Sequence, residues 1–191
     1  MTGGPGQGGG AQRDLRLNIG CGGKPRTGWV NVDKFPSGQE DLVGDICAGL
    51  DLPDGCAREI LLDNVIEHLD SIPDAMAELH RLLAPGGRLE ILTPHYSSAA
   101  SWRDPTHVSH LGFFSLDYFC SGHRANYTGD FRFEMAEKHL SFGGNLLGLI
   151  GRGLFALWPD KWEKRWAFMF RASTLRVVMT KPTASAEPTP G

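Results

Sequence analysis

The sequence predicts an α/β fold, a doubly wound and mostly parallel sheet of about seven strands. Three observations carry this expectation. Residues 15–19 alternate apolar and polar side chains as a strand does, and they run straight into the turn Gly20-Cys21-Gly22-Gly23. A second short strand over residues 29–32 ends at the carboxylate of Asp33. Further on, a capped amphipathic helix leads through Gly86 and Gly87 into an apolar strand over residues 88–93.

The remaining elements follow in order. Leu42 and Val43 form a brief third strand, and residues 58–62 a fourth whose end delivers Asp63 and Asn64 to the rim where open α/β sheets bind ligands. Residues 65–69 begin or border a helical turn. The main helix starts at Ser71, whose hydroxyl caps it, with Pro73 in the first turn and Asp74 completing a capping-box pattern. Ile72, Met76, Leu79, Leu82 and Leu83 share one helical face, and Gly86 and Gly87 end the helix. Pro94 marks the exit of the fifth strand into a long connection. Residues 131–135, or the few beyond, are expected as a sixth strand and 175–180 as a seventh. Between them lies an insertion, about 142–171, rich in Trp and Leu.

At 191 residues the chain has room for one ordinary domain, placed at 14–181. A Gly-rich leader (1–13) and a Pro/Ala/Thr-rich tail (182–191) are expected to be disordered. The leader has no apolar run and does not read as a signal peptide. Cys21, Cys47, Cys56 and Cys120 form no C-x-x-C pair, which points to a reducing, cytoplasmic setting without disulfides. A net charge of -3 lacks the basic footprint of a nucleic-acid binder, so a small substrate is favoured.

The glycine turn is the most informative segment. Gly20 and Gly22 have no Cβ, so backbone can approach a ligand there, and Asp33 at the neighbouring strand tip can accept from both hydroxyls of a ribose. A nicotinamide fingerprint fits poorly. Position 25 is Pro25, and Asp33 follows Gly20 by 33 − 20 = 13 positions, short of the roughly 20 that a dinucleotide site uses.

Residues 15–23 and 29–33, with Gly44-Asp45-Ile46, Leu52-Pro53-Asp54, Ile60 to Leu69 and Leu82 to Pro94, resemble in order and spacing the class I S-adenosylmethionine-dependent methyltransferases, in particular the small type 11-like group. The resemblance covers about residues 15–120 and implies a Rossmann-like sheet with one antiparallel strand near the C-terminus. It implies S-adenosyl-L-methionine as cofactor, with Asn18, Gly20, Cys21, Gly22, Asp33, Asp45, Ile46 and Asn64 as the residues around it. Asp33 would anchor the ribose, Asp45 and Ile46 would edge the adenine, and Asn64 would border the methionine end. Two departures stand out. Asn18 occupies a position where the family more often carries an acid, and the short loop Lys24 to Gly28 leaves room for a turn but no full helix.

A hydroxyl acceptor needs a general base, and histidine is the usual one. The connection after the fifth strand offers His95, Asp104, His107 and His110. His107 with Asp104 as its orienting carboxylate is one candidate pair, and His95 another base. A simple loop-capping role for Asp104 is the alternative. As metal ligands the four match no named spacing, so no metal is assigned. Glu67 and His68 read mainly as the start of a helix.

The expected function is methyl transfer to an oxygen or nitrogen of a small molecule or glycan intermediate. A non-catalytic binder on the same fold and a nicotinamide-dependent oxidoreductase are the rivals; product formation and cofactor titration separate them. The apolar insertion is too short and too interrupted to span a membrane. With Lys161, Lys164, Arg165 and Arg171 beside it, it is expected to be a lid, a homodimer face or a peripheral membrane contact through 145–165.

Overall fold

The computed structural model describes residues 14–123 and 131–183. The expected leader at 1–13 and the tail from 184 onward lie outside the described residues.

Seven strands form one sheet in the order β3-β2-β1-β4-β5-β7-β6. They are β1 (Leu15–Ile19), β2 (Val30–Asp33), β3 (Leu42–Val43), β4 (Ala57–Asp63), β5 (Leu83–Pro94), β6 (Glu134–Phe142) and β7 (Ala172–Thr180). The first five run parallel, and β7 enters antiparallel between β5 and β6. The order of strand addition reverses at β1, with β2 and β3 on one side and β4 and β5 on the other, so the crevice at the carboxyl ends of β1 and β4 is the switch point at which such sheets bind ligands.

Burial explains the central strands. In β4 the run Ile60-Leu61-Leu62 is buried throughout, the pattern of a strand covered on both faces. Helix α1 (Ile72–Leu82) covers one face with Met76, Leu79 and Leu82, each fully buried. Its N-cap is Ser71, whose Oγ accepts from Asp74 N. The helix stops at Leu82, before the two glycines expected to end it. Leu83 is already extended and pairs with Ala57, and Pro85 disfavours helical backbone at Ala84.

On the C-terminal side, the bounds of the last two strands also differ from the sequence reading, with the seventh starting at Ala172. The sixth strand begins at Glu134 and runs to Phe142, because it follows its ladder with β7 rather than its own apolar pattern. The insertion folds as α3 (Leu146–Leu157) and α4 (Pro159–Arg165). Trp162 of α4 is fully buried against Phe142 and Phe155. Leu146, Leu147, Leu149, Ile150, Leu157 and Trp158 remain exposed. Among the described residues, no helix is long and apolar enough to cross a membrane. A short α2 (Ala99–Arg103) lies in the connection after β5.

Candidate active site

The turn after β1 is built by a buried polar lattice. Asn18, 4% exposed, donates from Nδ2 to Asn31 Oδ1 (3.0 Å) and to Lys24 O (3.3 Å). Asn31 Oδ1 also accepts from Arg26 N (2.7 Å), and Asn31 donates from N and Nδ2 to Asp41 Oδ2. These bonds replace the missing helix between β1 and β2 by pinning the short loop to the strands on both sides. They also consume the Asn18 amide, so Asn18 does not face the ligand cavity.

That cavity, about 420 Å³, opens beyond the carboxyl ends of β1, β2 and β4. Its size falls in the range of small-molecule sites. Of the residues the sequence assigned to a cofactor, Gly20, Asp33, Asp45, Ile46 and Asn64 line it; Cys21 and Gly22 support the turn without lining it. Gly20 has φ +64°, and a Cβ there would lie 2.5 Å from Val65 Cγ2, so only glycine fits the close crossing of β1's tip over β4's exit. Gly22 (φ +48°) donates its N–H to Asp33 Oδ2 at 2.7 Å, and Phe35 N donates to Asp33 Oδ1 at 3.0 Å. A carboxylate offers about four lone-pair positions. Two bonds hold Asp33 still and leave the others for a ligand diol.

The side of the cavity at Asp45 and Ile46 has a different character. Lys34 bridges Asp45 (2.9 Å) and Asp70 (3.2 Å), while Cys47 N donates to Asp45 Oδ1 (2.9 Å). The Lys34 ammonium and this amide hold the Asp45 carboxyl below its ordinary range, so it stays an anion. Ile19, Ile46, Val65 and Leu69 supply apolar wall. Sequence reading missed Lys34, Phe35, His68, Asp70 and Thr106, which also line the cavity. Lys34 and Phe35 directly follow Asp33, a local signal that was available.

Asn64 is the one non-glycine residue with positive φ (56°) among the described residues. Asn tolerates this left-handed conformation better than most. It turns the chain sharply off β4 into a 3-10 turn over Ile66–His68, which plants Glu67 beneath the rim. Glu67 is 1% exposed; Oε2 accepts from Thr93 Oγ1 (3.0 Å), while Oε1 is buried with no partner. Burial pushes this carboxyl above its ordinary range.

The candidate catalytic residues separate. His107 Nδ1 lies 2.9 Å from Ser101 O; a carbonyl only accepts, so Nδ1 carries the proton and Nε2 keeps a lone pair. That Nε2 is 4.0 Å from the orphaned Glu67 Oε1. Asp104 does not orient the ring. Its Oδ1 accepts from Thr106 N (2.9 Å) and Thr106 Oγ1 (2.6 Å), which closes the loop turn. His95 is fully buried elsewhere: Ser97 N donates to Nδ1 (3.2 Å), and Nε2 faces Glu163 Oε1 on α4 (3.4 Å). A ring with both nitrogens engaged and no solvent path has no lone pair for an acceptor's proton. His110 stacks on Trp102 and meets Ser101 Oγ. The four residues weighed as metal ligands are therefore dispersed. Among the described residues, Glu67, His68 and His107 are brought together instead.

These three border a second cleft, about 570 Å³, whose lining shares Asn64 and His68 with the first cavity. No residue of the α3–α4 insertion lines either space.

A family model described as a methyltransferase domain matches residues 29–144. The chain belongs to that family. No curated protein sequence matches it. Solved structures similar to this methyltransferase include a SAM-dependent methyltransferase from Archaeoglobus fulgidus, 18% identical, covering 90% of this chain and 88% of that one with a TM-score of 0.57. The [4+2]-cyclase SpnF is 17% identical over 90% of this chain and 76% of its own, with a TM-score of 0.55. Phosphoethanolamine N-methyltransferase 2 of Haemonchus contortus, in complex with S-adenosyl-L-methionine, is 13% identical over 92% and 50%, with a TM-score of 0.53. At such identities the likeness is one of fold. The family match leaves the nicotinamide oxidoreductase reading without support.

Proposed function

We propose that this methyltransferase uses S-adenosyl-L-methionine in the cavity at the β1–β2–β4 rim and methylates an oxygen or nitrogen of a small molecule or glycan intermediate seated in the adjoining cleft. The observation that carries the reading is the junction of the two spaces at Asn64 and His68, with His107, whose Nδ1 bonds to Ser101 O, on the acceptor side. The residues present fit the cofactor: a side-chain-free turn at Gly20 and Gly22, a fixed carboxylate at Asp33 for a diol, and an apolar wall at Ile46 and Leu69 for a base. When bound, it supplies an already activated methyl on a sulfonium.

The chain's own task is then positioning and proton handling. Asp33 holds the ribose, and the bend at Asn64 sets the border between cofactor and acceptor. His107 Nε2 accepts the proton of the acceptor hydroxyl or ammonium, and the adjacent Glu67 carboxylate favours the imidazolium that results. Incubating the protein with S-adenosyl-L-methionine and panels of small hydroxyl, amine and glycan acceptors tests this by mass spectrometry. A gain of one methyl with matching S-adenosylhomocysteine is expected. Tight cofactor binding with no product from any acceptor favours a binding protein on this fold.

The exposed apolar face of α3, beside Lys161 and Lys164, belongs to the same reading as a contact surface, either for a membrane through 145–165 or for a second copy. Vesicle co-sedimentation and sedimentation equilibrium distinguish the two.

A further inference from the structure

We infer that Glu67, His68 and His107 form a binding site for a divalent first-row transition cation at the acceptor cleft. Each residue offers one ligand atom, and these atoms lie within 4.8 Å of one another. Two ligands of a tetrahedral ion sit about 3.3 Å apart at ordinary zinc–nitrogen distances, so the widest separation must close by up to about 1.5 Å, shared between two side chains.

Four independent features of the surroundings point the same way. First, Glu67 Oε1 is buried and has no protein partner, an arrangement that ordinarily costs about 1–3 kcal/mol unless something outside the chain satisfies the atom. Second, His107 gives its Nδ1–H to the Ser101 carbonyl, which fixes the tautomer with a free lone pair on Nε2, the nitrogen that faces Glu67. Third, His68 is fixed by a relay. Thr106 Oγ1 sends its proton to Asp104 Oδ1 (2.6 Å) and so accepts from His68 Nδ1 (2.9 Å), leaving the lone pair on His68 Nε2. Fourth, Glu67 Oε2 is itself held by Thr93. Metal-binding histidines characteristically donate their second ring N–H to a carbonyl, a carboxylate or a similar acceptor, and ligating carboxylates are hydrogen-bonded in turn.

The donor set of two imidazoles and one carboxylate suits zinc, iron or cobalt better than magnesium or calcium, which take mainly oxygen ligands. Three protein ligands would leave at least one position open, and the three residues border the cleft that Asn64 and Arg103 also line. The ion would therefore take an oxygen donor of the acceptor. This inference rests on the assignment of that cleft to the acceptor. With the ion bound, His107 Nε2 is a ligand; in the ion-free chain the same lone pair is the proton acceptor proposed above.

Titration of metal-stripped protein with Zn²⁺ by calorimetry, and with Co²⁺ by visible absorption, tests the site. One ion per chain is expected, with a cobalt spectrum showing nitrogen ligation. Glu67→Gln and His107→Ala should each weaken Zn²⁺ affinity by at least the ~10- to 100-fold that loss of an outer-shell partner costs, and Thr106→Val by about 10-fold through His68. Circular dichroism of Thr106→Val, a substitution at an exposed position, guards against misfolding. Equal Zn²⁺ affinity in the native chain and all three variants overturns the site. Absence of ion binding with methyl transfer retained overturns the metal and leaves the transfer reading standing. Ion binding that depends on these residues, without methyl transfer to any acceptor, supports the metal and removes the transfer reading.

Discussion

Two largely buried histidine–glutamate pairs lie on the carboxyl side of this sheet, and they differ in how completely they are satisfied. His95 and Glu163 join the β5 exit to α4. Glu163 Oε1 accepts from Phe113 N at 2.6 Å as well as facing His95, Tyr96 Oη donates to Glu163 O at 2.6 Å, and His95 Nδ1 accepts from Ser97 N. Nothing there is left to react. His107 and Glu67 stand 4.0 Å apart with a lone pair and an orphaned carboxylate oxygen turned toward each other. The same two residue types therefore clamp an insertion in one place and keep unspent valence in the other. The insertion has its own orphan, Trp162 Nε1, but a neutral N–H donor offers no lone pair to a proton or an ion.

The largest expected effect breaks the reactive pair. His107→Ala should lower turnover by about 10²- to 10⁴-fold, the usual worth of a positioned acid–base group, with cofactor affinity unchanged. Steady-state kinetics beside calorimetry would read both, and undiminished turnover would place the chemistry elsewhere. Breaking the clamp should do the opposite. Glu163→Ala strands Phe113 N and His95, costing about 1–3 kcal/mol of stability, and a thermal melt should drop by several degrees while methyl transfer by the folded fraction persists below the transition.

Asp33→Ala tests the cofactor side of the rim without touching either pair. Loss of charge-assisted hydrogen bonds should weaken S-adenosyl-L-methionine binding by about 1–3 kcal/mol. Calorimetry showing native affinity would remove the ribose role.

The smallest effect concerns a third histidine, His80, which has no carboxylate. It packs against Phe131 and Phe133, and burial with the Lys181 charge lowers its pKa from 6.5 to about 4. The unfolded chain binds the proton first as pH falls, so the stability of the neutral ring is fully present above about 6.5 and is lost on descending toward 4. The loss should be at most about 3 kcal/mol, reduced by solvent screening of this half-buried ring. Denaturant melts across that interval should slope more steeply for the native chain than for His80→Phe; parallel slopes would assign the acid sensitivity to other groups.

The legible parts of this molecule are those whose signals are local. Alternation marks β1, the apolar run marks β4, Ser71 and Pro73 mark the start of α1, and the glycine turn with Asp33 marks the cavity, because each rests on neighbours within a few residues. Element ends were less legible. β6 is set by its ladder with β7, and α1 ends where Leu83 finds Ala57, both choices made by distant strands. The fate of polar side chains was least legible. Asn18 has the position of a cofactor contact, yet the shortened loop claims its amide through Asn31, 13 residues on.

By itself, then, the sequence determined the α/β architecture, the strand carrying the side-chain-free turn and the carboxylate beside it, since dihedral preference and hydrophobic period act along the chain. Only the tertiary structure decided which histidine keeps a lone pair. That choice depends on what each ring nitrogen meets: for His95 it is Glu163, 68 residues away, while for His107 it is a carbonyl on α2 and a buried acid on the turn after β4. Hydrogen-bond satisfaction is a property of the packed whole, and no local pattern encodes it.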